Sequence, residues 1–339
     1  MSDFSFISLL MPVRNEGAYI RHSLAAVLNQ DYPREQIEIL IADGLSTDGT
    51  RQIVQEYQAQ HPNIRLIDNP GRIVPTGLNA ALRYARGEII IRVDGHTLIA
   101  PDYVSRCVEA LRRSGAENAG GRMDAAGEGA FAGAVVLATS SPFGVGGARF
   151  HYSEKEEWVD TVYMGAWPRR VFEEIGLFDE ELVRDQDDEF NYRLREHGGK
   201  ILLSPKIQSK YTVRSTPKAL WKQYFQYGYW KARVLQKHPR QMRPRQFVPP
   251  AFAGGLLGAA LLSLIFPWGR TLLLAVAGSY LLANLAASLL TAAKNGWCRL
   301  PLLPPVYAIL HLSYGLGFLA GLVRFARRWG DRFGSVPKF

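Results

Sequence analysis

Three long stretches without charge lie in the last third of this 339-residue chain, and they constrain its fold more than any other feature. They run between Arg245 and Arg270, between Arg270 and Lys294, and between Arg299 and Arg324. Their lengths of 24, 23 and 24 residues exceed the roughly 20 residues that a helix needs to cross a hydrocarbon core. A soluble helical domain with three such segments in succession would have almost no polar face. The pattern therefore predicts a helical membrane region.

The chain before about residue 245 mixes charged and apolar residues, as a soluble α/β protein does. Four short aliphatic or β-branched runs each end in polar or turn residues, which is typical of strands. Between them, apolar residues recur at spacings of three and four, which is typical of helices. This alternation predicts βαβ units and a mostly parallel sheet. The predicted strands are 6–11, 37–42, 64–67 and 88–93, and the predicted helices are 19–28, 50–60 and 78–84.

Several common classes are disfavoured by what the sequence lacks. No Gly-x-Gly-x-x-Gly follows the first predicted strand and no Gly-Lys-Ser/Thr loop occurs, which argues against a dinucleotide fold and a P-loop. The start at Met1 carries no basic, apolar secretory signal. Cys107 and Cys298 lie far apart in different regions, so we expect no disulfide framework and a reducing compartment.

Polar residues follow three of the predicted strands. Asn15 and Glu16 come after the first strand, Asp43 ends the second, and the triplet Asp94-Gly95-His96 follows the fourth. Because parallel strands bring their carboxyl ends to one edge of a sheet, these side chains would converge in one cleft. A carboxylate and an imidazole two residues apart could hold a divalent cation. Asp-Gly is also a common turn dipeptide, so the triplet alone does not decide between a metal site and a loop.

A second acidic group lies at residues 185–189, where four acids occur within five residues. Such a group is costly unless it is solvated, bound to a cation or used in catalysis. A helix start favours acids through its dipole, and Arg184, Arg193 or Arg195 could pair with them. A carboxylate here could also remove a proton from an acceptor hydroxyl, as displacement at a sugar carbon requires.

The net charge of +9 is concentrated in one segment. Residues 206–245 contain eleven Lys and Arg and no acid, interleaved with Trp and Tyr, immediately before the first apolar stretch. Cationic and aromatic residues in that position are typical of the cytoplasmic membrane surface, and they could meet a lipid phosphate. We therefore expect a membrane partner and no nucleic acid.

At this point the residues resemble a known family. The segments 11–16, 42–44 and 94–96, and then 176–180 followed by 186–189, look like the ordered motifs of family 2 glycosyltransferases. The similarity covers about residues 5–215. Within the family, the chain most resembles membrane-associated bacterial enzymes of exopolysaccharide assembly, of the succinoglycan glucosyltransferase type.

The resemblance implies a GT-A fold, a nucleotide-diphosphate sugar donor such as a UDP-sugar, a divalent cation, Mg²⁺ or Mn²⁺, and inversion at the anomeric carbon. It implies that Asp187 is the catalytic base and that Asp94, which also helps to bind the nucleotide sugar, and His96 occupy the positions of the family's metal-binding Asp-x-Asp. The neutral imidazole of His96 makes the site less negative and shifts preference toward Mn²⁺. The residues implied to line the base and ribose pocket are Pro12, Asn15, Glu16 and Asp43.

The implied acceptor is a lipid-linked saccharide of exopolysaccharide or cell-surface glycan assembly, with glucose as one candidate for the transferred sugar. Residues 226–230 are reminiscent of the Gln-x-x-Arg-Trp signature of processive synthases, but Tyr229 stands in place of Arg, which argues against polymer synthesis. The residues expected to contact the acceptor or the interface are Trp167, Asp188, Gln226 and Trp230.

The expected organisation is a GT-A catalytic domain at 1–215, a basic aromatic interfacial segment at 216–246, a membrane region with two or three hydrophobic helices at 247–323, and a basic tail at 324–339. We expect the bacterial cytoplasmic membrane, with the catalytic domain cytosolic. Three crossings would put the basic tail outside, against the positive-inside tendency. Two crossings plus an interfacial or re-entrant segment would avoid this, and prolines 301, 304 and 305 make the third stretch the irregular one.

Two other classes of function remain open at this stage. One is a nucleotidyl- or phospho-sugar transferase that acts on a lipid phosphate through a similar metal cleft; release of nucleoside monophosphate or pyrophosphate would identify it. The other is a non-catalytic membrane partner that retains a transferase-like domain.

Overall fold

The computed structural model describes residues 4–329 and 336–339. Contacts between Cα atoms divide the chain into two compact units. The first unit comprises residues 4–124, 148–212 and 336–339, and the second comprises residues 125–147 and 213–329. Residues 125–147, which the sequence analysis included in the catalytic domain, thus group with the C-terminal helices.

The first unit is built around one sheet. Within the described residues it has nine strands in the order β3-β2-β1-β4-β8-β6-β9-β5, with β7 paired to β9. The strands are β1 (Ile7–Val13), β2 (Ile37–Asp43), β3 (Ile64–Asp68), β4 (Ile89–Arg92), β5 (Thr97–Ile99), β6 (Asn118–Ala126), β7 (Glu157–Val159), β8 (Tyr163–Pro168) and β9 (Ile201–Thr212).

The sheet has a parallel half and an antiparallel half. Strands β1 to β4 are the four predicted from the sequence, and their pairings with one another are parallel. Strand β8 then pairs antiparallel with β4 and β6, and β5 and β7 pair antiparallel with β9. The α/β class is confirmed, but the sheet is mixed, and the expected mostly parallel arrangement holds only for the first half. Strand β6 contains Asn118 and adjacent glycines 120 and 121, which give no strand pattern in the sequence.

Helices cover both faces of this sheet. In β1, Leu9 and Met11 face a core that includes residues of α1, α2 and α4, whereas Leu10 faces a second core with residues of α3, α7 and α8. This two-sided burial explains why every residue of β1 and β2 is buried and why most of them are apolar. The α-helices of the described residues are α1 (Ile20–Leu28), α2 (Thr50–Gln60), α3 (Val74–Leu82), α4 (Tyr103–Ser114), α5 (Ala130–Thr139), α6 (Pro142–Val145), α7 (Arg170–Ile175), α8 (Gln186–Glu196), α9 (Pro217–Lys237), α10 (Val248–Ile265), α11 (Pro267–Asn295) and α12 (Leu303–Arg324).

The second unit contains α5, α6 and α9 to α12. Among the described residues, three helical segments are long and apolar enough to cross a membrane: Pro244–Ile265, Pro267–Asn295 and Trp297–Arg324. They correspond to the three charge-free stretches, so the predicted apolar helical region is confirmed.

Polar contacts join the 125–147 segment to the apolar helices within this unit. His311 Nε2 lies 2.8 Å from the carbonyl oxygen of Phe143, and the Ser141 and Tyr307 hydroxyls are 2.8 Å apart. The Phe143 ring also packs edge-on against both Tyr307 and His311. These bonds satisfy polar groups among apolar helices, where an unpaired polar group is costly.

Helices α9 and α12 approach each other at glycines. A Cβ atom added at Gly317 of α12 would lie 2.1 Å from the carbonyl oxygen of Phe225 in α9, and one added at Gly321 would lie 2.4 Å from that of Tyr229. These distances are far below van der Waals contact, and the obstructing atoms belong to the backbone. The two helices therefore pack this closely only because these positions lack side chains.

We expect Gly317→Ala to destabilise the second unit, because α9 and α12 would have to separate. Overpacking of this kind costs about 1–3 kcal/mol. Gly258→Ala in α10 is the matched control, since an added Cβ there meets nothing within 4 Å. The measurement is thermal unfolding of the full chain in detergent. An unfolding midpoint of Gly317→Ala equal to or above that of the Gly258→Ala control would contradict this packing.

Candidate active site

The ends of the parallel strands meet at one edge of the first unit. Val13 of β1 lies opposite Asp43 of β2, Asp43 lies opposite Asp68 of β3, and Leu10 of β1 lies opposite Arg92 of β4. The loops that follow β1, β2 and β4 therefore emerge side by side. This is the edge at which open α/β sheets bind ligands.

The loops after β1 and β2 are bonded to each other. The Asn15 N–H donates to Ser46 Oγ at 2.9 Å, and the Thr47 N–H donates back to Asn15 Oδ1 at 2.9 Å. Asp48 caps the start of α2 through Thr50 and also accepts from the Gly17 N–H at 2.9 Å. Asn15 is exposed, whereas Pro12 is buried within β1. The two loops that follow the predicted pocket strands are thus hydrogen-bonded to each other, and Asn15 lies at their surface.

Asp43 is fully buried, and its carboxylate is used within the protein. It accepts from the Ser46 hydroxyl at 2.5 Å and from Arg51 Nη1 at 3.2 Å, and Arg51 also pairs with Asp68 at 2.7 Å. The predicted direct contact between Asp43 and a base or ribose would require Ser46 or Arg51 to move. In this structure Asp43 instead organises the loop that carries Ser46.

Asp94 is held by a buried arginine two residues before it. Arg92 Nε donates to Asp94 Oδ1 at 2.8 Å, and Nη2 donates to Oδ2 at 3.1 Å. This two-pronged geometry is the strongest form of arginine–carboxylate pairing. The Asp94 side chain remains 15% exposed. One edge of the carboxylate is therefore occupied by Arg92, while the group still reaches the surface.

The same arginine faces Asp187 at the start of α8. Arg92 Nη1 lies 3.9 Å from Asp187 Oδ2, and the Asp187 side chain is 31% exposed. Nη1 is buried and makes no hydrogen bond to any residue that the structure describes. Two carboxylates far apart in the sequence, Asp94 and Asp187, thus share one buried cation.

This arrangement affects the two carboxylates differently. Burial opposes the ionisation of Asp94, but the charge and hydrogen bonds of Arg92 outweigh it and hold the Asp94 pKa below its usual value. Burial raises the pKa of Asp187, and Arg92 offsets this only in part because Asp188 and Asp94 add negative charge nearby. Asp94 is thus the more readily ionised of the two carboxyl groups, and Asp187 has the higher proton affinity.

His96 is paired with Glu16 across the cleft. His96 Nδ1 lies 3.0 Å from Glu16 Oε1, and the imidazole ring packs edge-on against Tyr211 at 5.7 Å. An ionised Glu16 favours the proton on Nδ1, which makes Nε2 the acceptor nitrogen of the neutral ring. The residues predicted from the first and third motifs are thus in direct contact.

Backbone strain occurs at several positions near this edge of the sheet. Among the described residues, five that are not glycine adopt a positive φ, and four of them belong to segments that carry predicted site residues. Such strain is typical of ligand-binding loops, where the surrounding structure maintains an unfavourable backbone. The four residues are Asn15, Leu45, Met164 and Asp185.

The cluster of acids at 185–189 is divided by the fold. Glu189 is buried and pairs with Arg193 at 2.7 Å, while Arg193 also donates to the carbonyl oxygens of Ile175 and Leu177. Asp187 and Asp188 are half-exposed in the first turn of α8. Pairing with arginine, the structural role considered for this cluster, therefore applies to Glu189. Asp187 and Asp188 remain at the surface.

The other residues predicted to contact the acceptor or the interface are Trp167, Gln226 and Trp230. Trp167 is only 1% exposed and packs among Phe172, Phe178 and Phe190. It is a core residue of the first unit, which corrects its predicted contact with an acceptor. Gln226 and Trp230 are half-buried on α9 of the second unit.

Two residues at this edge were not among the predicted site residues. One is Arg92, which the sequence analysis treated only as part of a strand. A charged residue at the end of the apolar run Ile89–Arg92 could have indicated a functional role. The other is Tyr163, whose hydroxyl lies 2.7 Å from Thr97 Oγ1 and 3.5 Å from Asp94 Oδ2. No local pattern reveals Tyr163, because it reaches Asp94 only through the antiparallel pairing of β8 with β4.

Sequence comparison connects this geometry to known proteins. The model of glycosyl transferase family 2 matches residues 8–176. The chain is 29% identical over 322 residues to the succinoglycan biosynthesis protein ExoA of Rhizobium meliloti, covering 94% of this chain and 96% of that protein. It is 33% identical over 241 residues to a dolichyl N-acetyl-alpha-D-glucosaminyl phosphate 3-beta-D-2,3-diacetamido-2,3-dideoxy-beta-D-glucuronosyltransferase of Methanococcus voltae, covering 69% of this chain and 75% of that enzyme.

Solved structures share the fold. The mannosyltransferase PcManGT from Pyrobaculum calidifontis, solved with GDP-Man and Mn²⁺, superposes with a TM-score of 0.59 at 21% identity, over 93% of this chain and 87% of that one. Residues 1–349 of TarS from S. aureus give a TM-score of 0.53 at 18% identity, over 94% of this chain and 91% of that one. The GT-A fold expected from the sequence is thereby confirmed.

The names of these two relatives describe a protein of succinoglycan biosynthesis and a sugar transferase, and each matches this chain over more than two thirds of its length. Taken together, the family match, the identity and the fold show that the chain belongs to glycosyltransferase family 2 and is a glycosyltransferase of the exopolysaccharide type.

Proposed function

We propose that this enzyme transfers a sugar from a nucleotide-diphosphate donor, with a UDP-sugar as the first candidate, to a lipid-linked saccharide with inversion at the anomeric carbon. One observation carries the proposal: the buried Arg92 lies between the carboxylates of Asp94 and Asp187. An inverting transfer needs one group near the leaving diphosphate and a base near the acceptor hydroxyl. A single cation between two carboxylates favours the ionised form of both groups and holds them close together.

A divalent cation is compatible with the donors at this edge. Within the described part of the chain, no group of three or more His, Cys, Asp or Glu side chains could hold a metal. Mg²⁺, however, is commonly bound by one or two carboxylates together with substrate phosphates and water. A carboxylate has about four lone-pair sites, so Asp94 retains capacity beyond its bonds to Arg92. Asp94 and His96 would hold the cation, which would neutralise the charge of the departing diphosphate.

The reaction then depends on the chain's own side chains. Asp187 accepts the proton of the acceptor hydroxyl as that oxygen bonds to the anomeric carbon. The bond from this carbon to the diphosphate oxygen breaks on the opposite side, and the nucleoside diphosphate leaves with the bonding electrons. Arg92 limits the rise in the Asp187 pKa. Because attack and departure are in line, no covalent intermediate with the enzyme is required.

The loops after β1 and β2 would bind the nucleoside. Asn15 is exposed there and adopts a backbone conformation that the bonds to Ser46 and Thr47 maintain. Asp43 would act indirectly, by holding Ser46 and Arg51. The role that we assign to Asp43 is therefore to shape the pocket.

The proposed acceptor follows from the second unit and the relatives. A saccharide on a lipid can be reached by an enzyme with long apolar helices and a segment of eleven cations before them. The name of the Methanococcus voltae relative describes an acceptor linked to dolichyl phosphate. We propose the bacterial cytoplasmic membrane as the location, with the first unit in the cytosol.

Membranes that contain the full chain provide the direct test. They would be incubated with labelled UDP- and GDP-sugars, with Mn²⁺ or with chelator, and label would be followed into solvent-extractable lipid. We expect one UDP-sugar to label the lipid only when the cation is present, with nucleoside diphosphate as the second product. Release of nucleoside monophosphate or pyrophosphate instead would contradict the proposed transfer.

We also expect Glu16→Gln to weaken the cation dependence of nucleotide binding. Glutamine preserves the shape of Glu16 but removes the charge that fixes the His96 tautomer. Residues that support a metal ligand in this way typically contribute about 10–100-fold in metal affinity. Calorimetry of UDP binding with and without Mn²⁺ measures the effect, and Glu35→Gln at an exposed position is the control. A Glu16→Gln variant with the cation dependence of the unmodified enzyme would exclude this role.

A further inference from the structure

Residues 336–339 follow all three apolar helices, yet they contact the first unit. The Leu177 N–H donates to the carbonyl oxygen of Pro337 at 2.9 Å. The Phe339 ring lies 6.4 Å from that of Phe172, and the Arg169 guanidinium lies 4.7 Å from its centre. These residues therefore belong to the same compact unit as the candidate active site.

This contact limits the number of membrane crossings. The chain leaves the first unit at residue 212, passes through the apolar helices and returns at residue 336. The seven steps from residue 329 to residue 336 span at most about 25 Å, which is less than the ~30 Å hydrocarbon core. Because the active site and residues 336–339 must lie on one side, the three apolar helices can supply only an even number of crossings.

The surfaces of the helices indicate which two cross. Helices α10 and α11 expose many large apolar side chains, as a lipid-facing surface requires, and Leu264 is 81% exposed. In contrast, α12 has one large apolar side chain that is exposed among the described residues, that of Val323 in its last turn. Representative exposed residues of α10 and α11 are Leu261, Leu264, Ile265, Leu274, Leu282 and Leu290.

The partner of α12 provides an independent argument. Helix α12 packs against α9 so closely that Gly317 and Gly321 have no room for a side chain. The contact continues beyond the end of α12, where Gln236 Nε2 donates to the carbonyl oxygen of Phe325 at 2.8 Å. Helix α9 carries five Lys and Arg residues in 21, a composition that is costly inside a bilayer. A helix paired with α9 along its length is therefore expected at the membrane surface.

We propose that the chain crosses the bilayer twice, through a hairpin of α10 and α11, and that α12 lies with α9 on the side of the catalytic unit. The lipid-facing surface of the protein is then the outside of the α10–α11 hairpin. Helix α12 is apolar because α9, α10 and α5 cover it, as a core helix is covered. This topology also keeps the basic residues after α12 on the same side as the basic segment before α10, in agreement with the positive-inside tendency.

Cysteine labelling of the full chain in membranes tests this topology. The exposed Cys298 between α11 and α12 is a native probe, and the buried Cys107 should not react. Single cysteines at three further exposed positions, introduced in a Cys298→Ser background, complete the set: Gln60→Cys in the first unit, Trp268→Cys at the start of α11, and Lys338→Cys in the tail. A membrane-impermeant maleimide is applied to intact cells and to inverted vesicles, and detergent-opened vesicles show that each thiol can react.

We expect the cysteines at 60, 298 and 338 to be labelled from one side and the cysteine at 268 from the other. Three crossings would put positions 268 and 338 together on the side opposite position 60, and this result would overturn the proposal. Crossing by α11 and α12 would put 298 opposite 60, and the absence of crossings would put all four on one side; either result would also overturn it. The outcome does not depend on the proposed chemistry, because labelling requires no substrate.

Discussion

Asp187→Asn is expected to reduce sugar transfer by about 10²–10⁴-fold, the contribution that a general base typically makes. Asparagine has nearly the same shape as aspartate but cannot accept the proton of the acceptor hydroxyl. Asp187 lies in the first turn of α8, and its partial exposure makes it accessible to an acceptor. Nucleotide binding should be largely retained, because Asp187 is not among the residues that we assign to the nucleotide. The measurements are kcat with saturating donor and acceptor, and UDP affinity by calorimetry.

Asp188→Asn is the matched comparison for this variant, since it removes an equal charge one residue along the same helical turn, at a position expected to contact the acceptor but not to take its proton. We expect its kcat to stay within about tenfold of that of the unmodified enzyme, in contrast to the loss expected for a catalytic base. If Asp187→Asn retained near-normal turnover, Asp187 could not be the base. If both variants lost activity equally, the charge of the helix start rather than proton transfer would be responsible.

The pH profile provides a second readout of the same residue. The base must be ionised to act, and burial raises the Asp187 pKa above that of an ordinary aspartate. Activity should therefore fall as the pH decreases through this raised pKa, at a higher pH than an unperturbed aspartate would give. An acid limb at or below the ordinary aspartate range would argue against Asp187 as the titrating group.

Asp94→Asn is expected to abolish the gain in nucleotide affinity that a divalent cation provides. The expected loss exceeds the roughly 100-fold upper limit for residues that only support a ligand, because Asp94 would contact the cation itself. UDP binding is measured by calorimetry with Mn²⁺ and with chelator. The variant and the unmodified enzyme should bind UDP alike in chelator and differ strongly in Mn²⁺.

Two checks separate this effect from a loss of folding. Removing one partner of a buried ion pair costs about 3–5 kcal/mol, and Asp94→Asn removes the nearer of the two carboxylates that pair with the buried Arg92, so thermal unfolding must be measured in parallel. Asp68→Asn is the control, because it removes an exposed carboxylate at the end of the neighbouring strand β3. Unchanged cation dependence in a folded Asp94→Asn protein would remove Asp94 from the site.

Local patterns in the sequence were sufficient for much of the fold. The runs around Ile7, Ile37, Ile64 and Ile89 predicted the parallel half of the sheet, and the charge-free stretches predicted the apolar helices. Both signals are local, since a strand between two helical layers is mostly apolar and a lipid-facing helix lacks charge. The antiparallel half was not predicted, because β6 and β8 are strands through their partners rather than their composition.

The candidate site was predicted in its residue types but not in its contacts. Asp94 and Asp187 were identified by motif, yet their common neighbour Arg92 was not, because the arginine meets Asp187 across 95 positions of sequence. Asp43 and Trp167 were assigned to ligands, and the structure buries both. Burial of this kind depends on which distant side chains arrive at a position, and no local spacing encodes that.

The sequence by itself determined the chemistry that the chain carries: carboxylates and a histidine at strand ends, a cationic segment and three apolar helices, each readable from spacing or composition. Tertiary structure alone decided how these parts are used. It put one arginine between two carboxylates, separated the buried Glu189 from the accessible Asp187, and returned residues 336–339 to the catalytic unit. The reason is physical, because periodicity follows from the geometry of a single helix or strand, whereas charge pairing and burial depend on contacts between residues far apart in the chain.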